Sequence, residues 1–383
     1  MHWHILTGEY PPQPGGVADY TYAVARGLAA AGDAVEVWAP GCVPARQPRI
    51  AVHDLPDHFG PRALSTLSRR LRRSPTPYTL LVQYVPHAFG WKGLNVPFCL
   101  WLRAQPRAST WVMFHEVAFP VSRQQSLTHN GLGLVTRGMA AIVASAASRA
   151  FVSIPAWEPM VRRATTVSTP IGWMPVPSAI PVSADAAAIA AVRQRFADGN
   201  ALVGHFGTYG GLIAPLLADA VNAMADAADV HLLLIGRGSE AAAVHLRRQN
   251  PAARDRIHAT GTLEARDVSH YVSACDVMVQ PYPDGVSSRR TSVMVALSHG
   301  RPVVTTAGAL TESLWHDGAV VLCEAADGDA LAAACVSLAR RPSEAMRLGA
   351  AGKALYDAQF DLRHTIARLR APDTAFTDWP AAS

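Results

Sequence analysis

The chain has 383 residues, and its 34 basic and 29 acidic residues give a formal charge of +5. Half of the residues are apolar and only 16% are charged, which excludes a disordered chain because such chains are poor in apolar residues. At ~150 residues per domain, the length predicts two domains or one large barrel. The sequence shows neither a run of ~20 apolar residues nor a basic signal-peptide start, so we expect a cytoplasmic protein.

The basic residues are almost all arginines, and only Lys92 and Lys353 are lysines. A pI near 9.1 is compatible with nucleic-acid binding, but the arginines are scattered and lack interleaved aromatic residues. We therefore expect no nucleic-acid partner. The five cysteines show no CxxC spacing, which argues against a disulfide framework or a zinc site.

Short apolar runs alternate with longer helical patterns along the whole chain. A first series of predicted strands comprises His2–Thr7, Ala34–Ala39, Leu80–Tyr84, Thr110–Phe114 and Arg149–Ser153. A second series comprises Ala201–Phe206, Val230–Ile235, Arg256–Ala259, Val277–Gln280, Pro302–Thr306 and Ala319–Leu322. The helical patterns between them include Val17–Ala31, Ile213–Ala225 and Thr291–Ser298. This alternation is typical of parallel sheets covered on both faces, so we predict an α/β fold.

A proline-rich segment, Gly172–Pro181, separates the two series of strands. Its three prolines in ten residues are typical of a semi-rigid linker. We therefore predict an N-terminal domain at 1–175 and a C-terminal domain at 182–359, both doubly wound, instead of one barrel. Ligands of such sheets bind at the carboxyl ends of the strands, which predicts a site in a cleft between the two domains.

Two features of the first domain are candidate site residues. Gly15 and Gly16 open a predicted helix, where free backbone N–H groups favour an anion, although an ordinary strand-to-helix turn explains them as well. His115 follows the strand Thr110–Phe114 directly and can donate a hydrogen bond at the edge of the sheet. A structural histidine is the alternative.

The second domain repeats the strand, glycine loop and helix at Gly204–Gly211, and a tight turn follows its next strand at Gly236–Gly238. Arg289 and Arg290 lie at the start of the helix Thr291–Ser298, where the helix dipole would repel them unless an anion lies between them. A diphosphate would meet this need. A solvated arginine pair with a Ser or Thr helix cap is the alternative. We interpret Asp327-Gly328-Asp329 as a helix cap, not as a metal site.

In their order and spacing, these motifs resemble those of the GT-B glycosyltransferases of glycosyltransferase family 4. The resemblance covers nearly the whole chain and rests on Gly15-Gly16-Val17, His115, Gly204–Gly211, Ile235-Gly236-Arg237-Gly238, Ala274–Pro283, His299–Val304 and Gly308–Glu312. It implies two Rossmann-like domains that face each other across a cleft, the first binding the acceptor and the second a nucleotide-diphosphate sugar. A C-terminal helix at about 360–383 would pack back on the first domain.

The resemblance also implies a reaction and a set of site residues. The family transfers the sugar with retention and without a metal or a cofactor, so the nucleotide-sugar is a co-substrate. Gly16 would contact the donor phosphate, His115 would contact the donor sugar as the catalytic residue, and Leu263 would lie near the base. The full set of expected donor-binding residues is Gly15, Gly16, Gly207, Thr208, Gly236, Arg237, Leu263, Ser287, Ser288, Arg289, Arg290 and Thr291.

The chain departs from the family pattern at two places. The family has two glutamates separated by seven residues, and the matching positions hold Ser287 and Val295. The loop Phe206–Gly211 also lacks the arginine and the lysine that bind the diphosphate in the family. We predict that Arg289 and Arg290 supply this positive charge. A catalytically inactive partner protein and a nucleotide-sugar epimerase are the alternative functions.

The sequence leaves open whether the protein contacts a membrane. Arg69–Arg73 and the apolar segment Ala88–Leu102 together predict a basic, apolar surface that suits anionic headgroups and a lipid-linked acceptor. Such a surface would place the protein at the inner face of the membrane. An ordinary core helix explains the apolar residues equally well.

Overall fold

The computed structural model describes residues 1–75, 77–123, 125–165, 168–197, 199–325 and 327–372. The part of the predicted C-terminal helix from residue 373 onward lies outside the described residues.

The described residues form strands and helices that alternate along the chain. The strands are β1 (His2–Thr7), β2 (Ala34–Ala39), β3 (Ala45–Gln47), β4 (Ile50–Asp54), β5 (Thr79–Tyr84), β6 (Thr110–Phe114), β7 (Arg149–Val152), β8 (Ile171–Trp173), β9 (Ala201–Phe206), β10 (Val230–Ile235), β11 (Ile257–Ala259), β12 (Val277–Gln280), β13 (Val303–Ala307) and β14 (Val321–Glu324). The α-helices are α1 (Gly16–Ala30), α2 (Pro61–Arg72), α3 (Val96–Arg103), α4 (Leu127–Ala146), α5 (Glu158–Ala164), α6 (Ala186–Phe196), α7 (Ala214–Ala223), α8 (Ser239–Gln249), α9 (Ala265–Ala274), α10 (Thr291–Ser298), α11 (Gly328–Ala339), α12 (Pro342–Leu355) and α13 (Leu362–Arg370).

The chain divides into two compact units. Unit 1 comprises Met1–Val176 together with Leu362–Ser383, and unit 2 comprises Pro177–Asp361. Each unit is built on its own sheet.

The unit 1 sheet has the strand order β3-β4-β2-β1-β5-β6-β7-β8, and its strands are parallel except for the antiparallel pair β3–β4. One face is covered by α2, α3 and α4, which bury residues such as Leu67, Phe98 and Val143. The other face is covered by α1 and α13. Helix α1 forms because Tyr20, Val24 and Leu28 recur at helical spacing and bury one stripe.

The unit 2 sheet has the order β11-β10-β9-β12-β13-β14, and the register places all of its paired strands parallel. Its strands are buried on both faces, which explains their almost continuous apolar sequences. The α/β fold with doubly wound parallel sheets is therefore confirmed.

The sequence pattern does not predict three of the strands. β3 and β4 are short edge strands with exposed or half-exposed positions, so they lack a long apolar run. β8 covers Gly172 and Trp173, which the sequence assigned to the linker; the extended segment pairs with β7 before the prolines begin. The prediction that Gly172 and Trp173 belong to the linker is therefore wrong, because both residues are part of β8, which pairs with β7.

Candidate functional site

Five loops leave the carboxyl edge of the unit 2 sheet and hold most of the predicted donor-binding residues. They follow β9, β10, β11, β12 and β13, and they contain Gly207–Gly211, Gly236–Gly238, Thr260–Leu263, Pro281–Arg290 and Gly308–Glu312. Because the strands are parallel, these loops lie along one edge of the sheet.

Backbone contacts join several of these loops. A Cβ atom built on Gly207 would lie 3.4 Å from Cβ of Ser292 in the first turn of α10. The Gly236 amide donates to Oγ1 of Thr260 at 3.0 Å. Thr208 and Arg237 are exposed, and Leu263 is half-buried. The structure thus places Gly207 beside the start of α10 and Gly236 beside the loop that carries Leu263.

Arg289 and Arg290 are both paired with one carboxylate, that of Asp284. Each guanidinium donates to a different carboxylate oxygen of this residue. The guanidinium of Arg290 also lies 4.5 Å above the ring of Tyr282, whose hydroxyl is 2.7 Å from Oγ of Ser292. The chain itself therefore supplies an anion for the arginine pair, the carboxylate of Asp284. The alternative of a solvated arginine pair is wrong, because both arginine side chains are largely buried.

A second carboxylate, Glu312, holds the same loop from the neighbouring strand end. Its carboxylate accepts hydrogen bonds from the backbone N–H of Ser288 at 2.9 Å, from the Ser288 hydroxyl, and from the indole N–H of Trp315 at 2.6 Å. Burial raises the pKa of Glu312, while these donors stabilise its charged form. A Cβ atom on Gly285 would come within 2.4 Å of the Gly308 amide, so only glycine permits this close approach of the two loops.

Several buried polar atoms along this edge have no hydrogen-bond partner among the described residues. They are Oγ of Ser287, Nε of Arg290 and Nε2 of His205. Helix α10 begins next to them, and the side chain of its N-cap residue, Arg290, makes no capping hydrogen bond. Buried polar groups are normally paired, so a cluster of unpaired ones beside a helix start indicates a place for a polar, anionic ligand.

The two positions where the family has glutamates are both buried. Ser287 is fully buried in the loop, and Val295 packs inside α10 with 1% of its surface exposed. Valine has no hydrogen-bonding group, so α10 offers no carboxylate for ribose hydroxyls at this position.

At the start of α1, a carboxylate of the chain occupies the predicted anion position. Oε1 of Glu9 accepts the backbone N–H groups of Val17 and Ala18, both at 3.1 Å. A Cβ atom on Gly15 would lie 2.1 Å from this oxygen, so a larger residue at that position would displace the Glu9 carboxylate. The Gly16 amide has no partner among the described residues, and it is the N–H group that this loop leaves for a ligand.

His115 lies where the sequence predicts, directly after β6, and it is 7% exposed. Its Nε2 atom is 2.8 Å from the amide oxygen of Gln83, and the ring of Tyr20 contacts it edge-on. Burial lowers the pKa of His115 to about 3, so the ring is neutral at physiological pH. The single N–H of the neutral ring is directed to Gln83, which leaves Nδ1 as an acceptor. The prediction that His115 donates to a ligand therefore requires Gln83 to release it.

One group of three close metal-ligating side chains occurs in the described part of the chain, at His2, His4 and Glu36. The indole of Trp38 donates to Nδ1 of His4 at 3.1 Å, so Nε2 of His4 carries the proton and faces Ser74. Since neither nitrogen of this ring then offers a free lone pair, the cluster is a poor fit for an ion. At the segment Asp327-Gly328-Asp329, the carboxylate of Asp327 caps α11, which confirms the helix-cap interpretation.

Sequence reasoning missed the residues that position the predicted ones. They are Glu9, Gln83, Asp284 and Glu312. Asp284 was visible as an acid five residues before an arginine pair, but the other three contact their partners only through the tertiary fold.

Comparison with known protein families and structures gives matches of two kinds. Residues 203–341, about a third of the chain, match the family model described as "Glycosyl transferases group 1". A search of curated protein sequences finds no match.

No helix in the described part of the chain combines the length and apolar character needed to cross a bilayer.

Solved structures resemble the chain over almost its whole length. Sucrose-phosphate synthase from Thermosynechococcus elongatus has a TM-score of 0.70 at 19% identity, covering 96% of this chain and 97% of that one. WaaG, a glycosyltransferase involved in lipopolysaccharide biosynthesis, has a TM-score of 0.68 at 13% identity, with coverages of 97% and 100%. HepE from Anabaena, in complex with UDP-glucose, has a TM-score of 0.68 at 16% identity, with coverages of 96% and 99%. These matches confirm the GT-B fold and the resemblance to GT-B glycosyltransferases.

Proposed function

We propose that this protein is a glycosyltransferase that moves a sugar from a nucleotide-diphosphate sugar to an acceptor. The observation that carries the proposal is the edge of unit 2 at the start of α10, where Arg289, Arg290 and the unpaired Ser287 hydroxyl precede a helix whose N-cap side chain makes no capping hydrogen bond. This combination of cations, a hydroxyl and free N–H groups suits a diphosphate. The match of residues 203–341 to a glycosyltransferase family and the UDP-glucose complex of HepE support the choice of ligand.

The remaining donor contacts follow from the same edge. Gly207 and Gly236 would let the backbone approach the diphosphate, while Thr208 and Thr291 would offer hydroxyls near it. Ser288 would contact it only after its N–H and hydroxyl are released from Glu312. Arg237 and Leu263 lie on the loops after β10 and β11 and would contact the nucleoside. In unit 1, the free N–H group of Gly16 would donate a hydrogen bond to a donor phosphate. The Nδ1 atom of His115 would accept a hydrogen bond from a hydroxyl of the donor sugar.

The proposed transfer proceeds with retention and without a metal or a cofactor. The bond between the anomeric carbon and the phosphate oxygen breaks, and the acceptor oxygen bonds to that carbon on the same face. The acceptor proton goes to the departing phosphate oxygen, whose growing charge the arginines and the α10 N–H groups stabilise. Unit 1 would bind the acceptor, which is a sugar or a lipid-linked sugar on the cytoplasmic side.

The test removes the two guanidinium groups. We expect the double variant Arg289→Ala/Arg290→Ala to bind UDP-glucose and UDP at least about tenfold more weakly than the wild type in calorimetric titration, a loss of about 1.4 kcal/mol. The matched control Arg248→Ala/Arg347→Ala removes two exposed arginines of unit 2 and should leave affinity unchanged.

Loss of both arginines leaves the half-buried Asp284 without its partners, so the double variant can be unstable. The triple variant Asp284→Asn/Arg289→Gln/Arg290→Gln removes all three charges together and avoids this problem. Unchanged donor affinity in a folded triple variant would exclude the arginine pair from the site. Tight donor binding without transfer or hydrolysis would instead favour the inactive partner protein, and acceptor-free turnover of the sugar would favour an epimerase.

A further inference from the structure

One buried glutamine of unit 1 differs in character from its surroundings. Gln83 lies near the end of β5, a strand in which every residue is buried, and its own side chain is fully buried. It faces α1 on the same side of the sheet as the apolar residues Leu81 and Met113. Burial of a polar side chain in an apolar layer costs stability unless its polar atoms are paired, so this glutamine requires an explanation.

The side-chain amide of Gln83 is only half paired. Its oxygen Oε1 lies 2.8 Å from Nε2 of His115, but its nitrogen Nε2 has no hydrogen-bond partner among the described residues. A methionine has nearly the shape of glutamine and would fill this place without leaving a buried donor unpaired. The hydrogen bond to His115 is therefore what glutamine adds at this position.

The fold holds His115 firmly and leaves one of its ring nitrogens free. The backbone N–H of His115 donates to the backbone oxygen of Tyr84 at 3.0 Å, and its backbone oxygen accepts from the Ser153 hydroxyl at 3.4 Å. The ring of Tyr20 packs edge-on against the imidazole, with 4.8 Å between the ring centroids. Within the described part of the chain, only Gln83 forms a hydrogen bond with the ring, so Nδ1 is left for a ligand.

The contact with Gln83 decides what the free nitrogen can do. Burial lowers the pKa of His115 to about 3, so the ring is neutral and carries a single proton. The amide oxygen of Gln83 can only accept a hydrogen bond, so it keeps this proton on Nε2. Nδ1 then presents a lone pair, which pairs with a hydroxyl and repels a carboxylate or a carbonyl oxygen.

We propose that Gln83 is a positioning residue that fixes the Nε2–H tautomer of His115 and so makes unit 1 select a hydroxyl group of the donor sugar. The inference rests on the proposed function, in which His115 contacts the donor sugar. It deepens that function because it specifies the group that must meet the histidine, a hydroxyl whose hydrogen is directed at Nδ1. A donor with fluorine, an ether oxygen or a carboxylate at that position lacks this hydrogen and should bind more weakly.

The first experiment measures the tautomer directly in the ligand-free, full-length protein. Proton–nitrogen NMR spectra of protein with isotope-labelled histidines distinguish a protonated imidazole nitrogen from an unprotonated one, and His115→Gln identifies the signals of His115. At neutral pH we expect Nε2 to be protonated and Nδ1 unprotonated in the wild type. Gln83→Glu retains an oxygen acceptor and should keep the proton on Nε2. Gln83→Met removes the acceptor and should give a mixture of tautomers.

The matched control Gln105→Met replaces a half-buried glutamine of the same unit and should leave the His115 signals unchanged. Gln83→Leu provides a second apolar replacement if Gln83→Met does not fold. A wild type with the proton on Nδ1 would overturn the proposal, because the Gln83 amide would then be the donor. Persistence of the Nε2–H tautomer in a folded apolar variant would overturn it too, since other surroundings would then fix the ring.

The second experiment measures the selectivity for a hydroxyl. Monofluoro analogues of UDP-glucose replace one sugar hydroxyl at a time by fluorine, which is small and cannot donate a hydrogen bond. In calorimetric titration, we expect one analogue to bind the wild type at least about tenfold more weakly than UDP-glucose. This penalty should disappear in His115→Phe and fall to about threefold or less in Gln83→Met.

The results separate this inference from the proposed function. Equal fluorine penalties in the wild type, His115→Phe and Gln83→Met would overturn the selection of a hydroxyl, although donor binding itself would stand. Failure of both UDP-glucose and UDP to bind the wild type would instead contradict the proposed function. The NMR spectra would still decide whether Gln83 fixes the tautomer of His115, because they require no ligand.

Discussion

At the scale of single residues, Asp284 determines the charge of the candidate donor site. It divides one negative charge between two guanidinium groups, so the three residues together carry only one positive charge. Glu9 has a similar effect at the start of α1, where it occupies two of the N–H groups that could bind an anion. The Glu9 contact could not be predicted from sequence, because this carboxylate reaches its partners through the folding of a loop, whereas Asp284 stands only five residues before the arginine pair.

We predict that Asp284→Asn strengthens the binding of UDP at least about threefold, because the change keeps the shape of the side chain and removes a negative charge near the diphosphate. The effect should diminish as salt is added. Calorimetric titration at two salt concentrations measures both quantities.

The matched control for this substitution is Asp229→Asn, which removes the acid of an exposed pair with Arg340 and should not alter UDP affinity. If Asp284→Asn instead weakens UDP binding, the main role of Asp284 is to hold the arginines in position, and its charge does not compete with the ligand.

At the scale of the elements, the sequence predicts buried strands well and edge strands poorly. The bounds of β1, β2, β6, β9, β10 and β12 agree with the apolar runs, because strands buried on both faces leave an unbroken signal. β4 has alternating burial at the edge of the sheet, and β8 is three residues long, so neither gives such a signal. The glycine loops were found for a similar reason, since they follow the strands that are easiest to recognise.

Helix α13 illustrates an element whose place depends on tertiary packing. Leu369 is buried with the residues of α1 and β1, and Arg368 donates to the backbone oxygen of Trp173 at 2.7 Å. A Cβ atom on Gly27 of α1 would lie 2.6 Å from Cδ1 of Ile366, so the two helices are in close contact.

We predict that Leu369→Ala lowers the free energy of unfolding of unit 1 by about 2–5 kcal/mol, because it leaves a cavity in a packed core. Differential scanning calorimetry should show this loss in the transition of unit 1, while the transition of unit 2 stays in place. The exposed Leu212→Ala serves as the control. An unaltered calorimetric profile for Leu369→Ala would mean that α13 contributes little to the stability of unit 1.

At the scale of the whole molecule, buried histidines make stability depend on pH. Burial lowers the pKa of His4 to about 4, of His115 to about 3 and of His258 to about 4. Glu36 opposes this effect at His4, whereas His2 and His53 reinforce it. All three values lie below the ordinary histidine value of 6.5. The unfolded chain therefore takes up protons near pH 6 that the folded chain does not bind.

We predict that stability falls as the pH decreases from about 6.5 to about 4, by about 1.4 kcal/mol per pH unit for each additional proton bound by the unfolded state. Melting temperatures measured across this range provide the test. His4→Gln keeps an acceptor for the indole of Trp38 without a titrating group, so its melting temperature should decrease less steeply. A melting temperature that stays constant from pH 6.5 to pH 4.5 would contradict the prediction.

The division of unit 1 into two segments has a consequence for how the protein is made. Met1–Val176 leaves the ribosome first, but α13 follows only after Pro177–Asp361 has been synthesised. Until then, the surface of α1 that Leu369 and Ile366 cover remains open to solvent or to a chaperone. Unit 2 comes from one continuous segment and can complete its core earlier. Unit 1 therefore completes its fold only after unit 2 has been synthesised, and nascent chains halted before α13 should be those that chaperones retain.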